Sequence, residues 1–243
     1  MSKPLVVITG ASSGFGAQMA EIFNQQGYPL LLLARRTECI LSLPLNFQNV
    51  MIEKVDVTDK LAFQQAIEKA VAKFGPVDLL VNNAGVMLLG NVTSQDATQW
   101  QQMLDVNIMG VLNGIQIVLN KMIDQRHGTI INISSLAGKK TFRNHVAYVA
   151  SKFGVHGLTE TIREEVSDKN VRICLVAPGA AETELLSHTT DRQSQKDYTA
   201  WKETMGGITL DPKVVAQTVQ FIYEMPQEVT IREIDLAATA QDS

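Results

Sequence analysis

Thr9-Gly10-Ala11-Ser12-Ser13-Gly14-Phe15-Gly16 follows a short apolar run, residues 5–8, and leads into an amphipathic segment, 16–26, that Gly27 stops. Gly10 lets the chain turn tightly off a strand, Gly14 lets backbone come close to a ligand, and Gly16 lets a helix pack closely on that strand. A helix starting there presents free N–H groups and the positive end of its dipole, which suits a pyrophosphate. Strand, glycine turn and helix together point to a dinucleotide-binding α/β fold. The spacing reads G-x-x-x-G-x-G rather than the commoner G-x-G-x-x-G.

Outward from this turn, short apolar runs at 30–33, 50–54, 79–81, 129–133 and 171–176 alternate with longer amphipathic stretches at 59–74, 100–119 and 147–165. In 59–74, Leu61, Phe63, Ala66, Ile67, Ala70, Val71 and Phe74 fall mainly on one face, and Gly75-Pro76 ends the helix. The alternation predicts a single-domain Rossmann-type α/β fold over 1–243: a doubly wound parallel sheet with helices on both faces. The stretch 187–207 stands apart. It is polar, has no strand signal, and is expected to be an irregular lid with Leu186, Trp201 and Met205 facing a pocket.

The composition, 45% hydrophobic and 19% charged, is that of an ordinary globular protein. The net charge of −4, with no Lys/Arg run, argues against nucleic acid as a partner. No stretch reaches the roughly 18 apolar residues of a membrane span. Cys39 and Cys174, far apart, read as reduced thiols of a cytoplasmic protein rather than a disulfide framework. The four histidines have no metal-ligand spacing, so no metal is expected, and His145 is expected to be solvent-exposed.

At the end of the second strand an acid would bind the ribose 2′-OH of NAD. Ala34-Arg35-Arg36 stands there instead. Arginine forks suit a 2′-phosphate, so the cofactor expected is NADP(H). Tyr148 and Lys152 are four apart, on one helix face, and an ammonium beside a phenol lowers its pKa from the usual value of about 10.

Asn82-Asn83-Ala84-Gly85, Asn107, Ser134-Ser135 and Tyr148-Val149-Ala150-Ser151-Lys152, with the glycine turn, resemble the classical short-chain dehydrogenase/reductases over nearly the whole chain. The resemblance implies an oxidoreductase acting on a small carbonyl/alcohol substrate. It assigns catalysis to Asn107, Ser135 (13 positions before the tyrosine, not Ser134), Tyr148 and Lys152. Asn107 would hold a water in the proton relay to the lysine. Cofactor contacts fall to Gly10, Ser12, Ser13, Gly14, Phe15, Gly16, Arg35, Arg36, the adenine-side pair Asp56-Val57, then Asn83, Ala84 and Gly85, Tyr148 and Lys152. Pro178, Gly179 and Thr183 match the segment that caps the nicotinamide carboxamide.

The family also implies a homotetramer, or at least a homodimer, pairing through the helices that begin near Trp100 and Ala147. Residues 86–90, 148–154 and 224–234 resemble the branch of clavulanic acid dehydrogenase and NADP-dependent 3-hydroxy acid dehydrogenase, which implies a small polar substrate. Met87, Leu136, Phe142 and His145 are further candidates for substrate selection. Two other functions compete. A non-catalytic NADP-sensing regulator usually lacks the tyrosine or lysine, and both stand here. A sugar-nucleotide epimerase would carry a sizeable C-terminal domain.

Overall fold

The computed structural model describes residues 3–241. Seven strands form one parallel sheet in the order β3-β2-β1-β4-β5-β6-β7. They are β1 (Leu5–Thr9), β2 (Leu30–Ala34), β3 (Val50–Lys54), β4 (Val77–Asn82), β5 (Thr129–Ile133), β6 (Arg172–Pro178) and β7 (Glu233–Leu236). The helices are α1 (Gly14–Gln25), α2 (Thr37–Leu41), α3 (Lys60–Phe74), α4 (Ala97–Leu104), α5 (Gly110–Gln125), α6 (Val146–Glu165), α7 (Arg192–Thr204) and α8 (Pro212–Glu224). This is the doubly wound Rossmann arrangement that the alternation predicts.

Strands β1 and β2 are buried along their whole length and apolar except at Thr9, because helices cover both faces. Leu5, Val7, Leu31 and Leu33 point into one core with Phe63, Ile67, Ile115 and Val118 of α3 and α5. Val6, Ile8, Leu30 and Leu32, one residue out of phase, point into the other with Met19, Phe23, Val215 and Val219 of α1 and α8. Full burial of one such side chain contributes about 1.5–3 kcal/mol. Arg172 of β6, buried, gives its guanidinium to Thr129 Oγ1 and to the carbonyls of Ile222, Tyr223 and Met225 at the C-terminus of α8. The last carbonyls of that helix are thereby satisfied inside the fold.

Three local features differ from expectation. The stretch 187–207 is not irregular: a 3-10 turn, Glu184–His188, leads into α7, capped by Asp191, whose carboxylate accepts from Ser194 N at 2.8 Å. The long helix foreseen at 100–119 runs continuously over Ala97–Gln125 but passes through a π-helical turn, Asp105–Met109. It is long and apolar enough to cross a membrane, yet 44% of its apolar window is buried inside this fold, where it serves as a core helix. Strand β7, alternating Glu233-Ile234-Asp235-Leu236, is the half-exposed edge strand after β6, which accounts for its weak apolar signal.

Candidate active site

The carboxyl ends of the parallel strands open onto one cavity of about 930 Å³, the place where ligands bind in sheets of this kind. At one end stand Gly10, Ser12, Ser13, Gly14 and Phe15, with Arg35, Arg36, Asp56 and Val57. Asn83, Ala84 and Gly85 continue the lining to Ser135, Tyr148 and Lys152, with Pro178, Gly179 and Thr183 opposite. Gly16 and Asn107 do not line it. A Cβ at Gly16 would strike Gly10 O and come within 2.7 Å of Asn83 Nδ2, so Gly16 serves the close packing of α1 on the turn. Gly10, at φ +65°, would bring a Cβ within 2.8 Å of Ala84 Cα.

The turn is built to receive an anion. Ser13 caps α1 in an extended conformation without a side-chain hydrogen bond to the helix, which leaves the first amides for a ligand. Thr9, which sequence reasoning passed over, locks the turn to the β4 loop. Its hydroxyl donates to Val81 O and accepts from Asn83 N at 2.9 Å and Ala84 N at 3.0 Å, while Asn83 Nδ2 donates to Thr9 O at 2.9 Å. Arg36 is exposed and pairs with Glu184 at 2.7 Å. Glu184 follows Thr183 directly, and its side chain also hydrogen-bonds Ser13; these bonds hold its carboxyl below the usual range.

Helix α6 brings Tyr148 and Lys152 to the same wall, both buried. Lys152 Nζ donates to Ile133 O at 3.0 Å and lies 5.7 Å from the Tyr148 ring centroid. Desolvation pushes Lys152 down to about 8. Desolvation pushes Tyr148 up, opposed by a hydrogen bond from the Ser135 hydroxyl. The expected lowering of the phenol by Lys152 is not found: burial raises it, and the opposing contribution comes from Ser135. Of the two serines, Ser135 is the one bonded to Tyr148, whereas Ser134 Oγ faces Lys152 O at 3.4 Å.

Asn107 sits in the π-helical turn, a feature that recurs at functional sites. Its amide donates to Val86 O and to Ser151 Oγ and accepts from Val86 N, and Ser151 Oγ in turn donates to Tyr148 O at 2.7 Å. Asn107 thus braces α6 beneath the tyrosine.

Above Tyr148 the cavity is walled by Leu136, Phe142 and His145 and by Leu186, Tyr198 and Trp201 from the turn and helix over 184–204. His145 is buried, not solvent-exposed as its sequence position suggested; its ring Nδ1 lies 2.6 Å from Arg143 O, and burial lowers its pKa. Met205 is buried but does not line the cavity, contrary to expectation. Tyr198 does line it, and nothing flagged it in advance, because its face is defined by a helix that the sequence did not reveal. Gln241, near the end of the chain, also lines the cavity and accepts a hydrogen bond from Ala180 N at 3.0 Å.

A parallel sheet of this order, with a glycine turn at one end of the cleft and a half-buried serine beside a buried tyrosine and lysine at the other, is a dinucleotide-binding α/β fold with a candidate proton-transfer site. The sequence profile of the short chain dehydrogenase family matches residues 4–194. An uncharacterised oxidoreductase of Staphylococcus saprophyticus is 34% identical over 241 residues, 98% of this chain and 96% of that protein. Glycine betaine reductase of Emericella nidulans is 34% identical over 238 residues, 96% of this chain but 18% of that protein. Among solved structures, the closed form of serine dehydrogenase complexed with NADP+ matches with a TM-score of 0.90 and 29% identity, covering 98% of this chain and 96% of that one. The chain belongs to the short-chain dehydrogenase family and is an oxidoreductase enzyme of that type.

Proposed function

We propose that this enzyme transfers hydride between NADP(H) and the carbonyl or secondary alcohol of a small substrate. The observation that carries the reading is the convergence of Ser135, Tyr148 and Lys152 at one end of a cavity whose other end is the glycine turn with two arginines. When bound, the nicotinamide supplies the hydride for reduction or accepts it for oxidation. Tyr148, kept protonated by burial, donates its proton to the carbonyl oxygen, and Ser135 hydrogen-bonds the same oxygen. Lys152 contacts the ribose and passes a proton back to Tyr148, with Asn107 at the water-holding place of that relay. Gly10, Ser12, Ser13, Gly14 and Phe15 receive the pyrophosphate, Gly16 lets α1 approach, Asp56 and Val57 flank the adenine, and Asn83, Ala84 and Gly85 lie between. Pro178, Gly179 and Thr183 cap the carboxamide.

The NADP+ bound to the serine dehydrogenase supports the cofactor assignment. The names serine dehydrogenase and glycine betaine reductase, with the branch resemblance, support a small polar substrate such as a 3-hydroxy acid or a related aldehyde. A panel of carbonyls and hydroxy acids followed by NADPH absorbance tests this. Tight NADPH binding with no absorbance change on any substrate would instead make the protein an NADP-sensing regulator.

Replacing Arg35 and Arg36 together with alanine is expected to lower the preference for NADP over NAD at least tenfold. Each charged hydrogen bond to the 2′-phosphate contributes about 1.5–3 kcal/mol. Freeing Arg36 from Glu184 costs little, because an exposed ion pair contributes about 0–1 kcal/mol. Equal affinity of the wild type for NAD and NADP, measured by calorimetry, would overturn the assignment.

The lid reading passes to the turn and helix over 184–204, anchored by Thr189, whose hydroxyl donates to Met87 O and accepts from Leu89 N. Amides of α7 are expected to gain hydrogen-exchange protection when NADPH and a substrate analogue bind together; equal protection in both states would make α7 a fixed wall. The exposed Leu104, Met109, Val146 and Phe153 on α4, the π turn and α6 support a homotetramer or dimer through these helices. Light scattering at micromolar concentration checks this, and a monomer would refute it.

A further inference from the structure

Four rings close on one another at the substrate end of the cavity. Phe142 and His145 come from the loop before α6, Tyr198 and Trp201 from α7. Their centroids follow a circuit: Phe142–Trp201 5.8 Å, Trp201–Tyr198 5.4 Å, Tyr198–His145 6.1 Å and His145–Phe142 5.6 Å. Tyr148 joins at the His145 corner, 6.2 Å away. All five rings line the same cavity. We propose that this circuit is a cage for an ammonium group carried by the substrate, so that the reacting pair is a small amino or quaternary-ammonium aldehyde and alcohol. The proposal rests on the oxidoreductase reading above and names the substrate class of that site.

The geometry suits a cation. Neighbouring centroids are 5.4–6.1 Å apart, so a group seated between two of them is inside the about 6 Å over which an aromatic ring attracts a positive charge. Two carboxylates, Asp191 and Asp197, line the lid side of the cavity. The histidine in the circuit is held neutral by burial and does not repel a cation. One ammonium already meets the cluster: exposed Lys140 places Nζ 5.7 Å from the Phe142 centroid. The cations lining this end include Lys202, which is 3.8 Å from Glu182, and Arg143, which is exposed. The cage lies next to Tyr148, so an ammonium seated there belongs on a carbon close to the reacting one. A short amino alcohol fits that placement, whereas a long chain would have to leave the cage.

Calorimetry on the NADP+-loaded protein tests the cage with pairs of alcohols that differ in charge but little in shape: choline against 3,3-dimethyl-1-butanol, and ethanolamine against 1-propanol. In at least one pair the cation is expected to bind tenfold or more tightly than its neutral partner. Trp201→Leu and Phe142→Leu are each expected to lower that cation's affinity about tenfold while NADP+ still binds, which shows that the variants fold. Neutral partners that bind as well as the cations, or no binding by any of the four, would overturn the cage. NADPH absorbance separates this outcome from failure of the oxidoreductase reading. Turnover of neutral alcohols without charge discrimination removes the cage and keeps the enzyme. Cation selectivity without turnover of any substrate keeps the cage and removes the hydride-transfer assignment.

Discussion

Tyr148→Phe is expected to lower kcat by about 10²–10⁴-fold, the usual contribution of a positioned general acid, while the Kd for NADPH changes little. The substitution keeps the buried ring against His145 and removes the hydroxyl to which Ser135 is hydrogen-bonded. The effect should fall on kcat and kcat/KM alike, because the lost proton transfer belongs to the transition state. Burial raises the phenol in this site, so at neutral pH the wild-type group is a proton donor, and deleting that donor is the whole change. Single-turnover NADPH oxidation with any accepted carbonyl checks it. A Tyr148→Phe rate within tenfold of the wild type would show that another group delivers the proton.

Lys152→Met carries two expected results. Turnover and NADPH affinity both fall, because in the proposed mechanism the ammonium contacts the ribose and returns the proton to Tyr148. Stability moves in the other direction with pH. The folded chain holds this lysine at about 8 rather than its ordinary 10.5, through burial. Between those values the unfolded chain binds more protons, so the wild type gains stability as pH rises. Below pH 8 the full cost of burying the charge is present, about 3 kcal/mol by the size of the shift. Urea unfolding of wild type and variant should therefore differ by about 3 kcal/mol more in favour of the wild type at pH 10.5 than at pH 7. A difference that does not change with pH would mean that Lys152 keeps its ordinary affinity for protons.

Much of the site is legible in the chain because its chemistry is local. The turn from Thr9 to Gly16 needs glycines at fixed spacing; Tyr148 and Lys152 must share a helix face; Ala34-Arg35-Arg36 must end a strand. Such requirements act over a few residues, and the order of the motifs carries the doubly wound sheet with them. What escaped was set by partners distant in sequence. Helix α7 is polar in composition, so the seating of Tyr198 and Trp201 against Phe142 and His145 cannot be read before the chain has folded. His145 looks like a surface residue until that aromatic packing buries it. The Arg36–Glu184 pair joins positions 148 residues apart, and Gln241 reaches Ala180 across the sheet edge.

The balance at Tyr148 was likewise decided in three dimensions. Spacing put an ammonium beside the phenol, but desolvation depends on every element packed around it, and here it raises the phenol against the hydrogen bond from Ser135. The sequence by itself determined the family, the glycine-turn end of the cleft and which serine, tyrosine and lysine line it, because those follow from backbone geometry and short-range spacing. Tertiary structure alone decided the aromatic end of the cleft, because its walls come from the loop before α6 and from α7, which meet only when both have packed over the sheet.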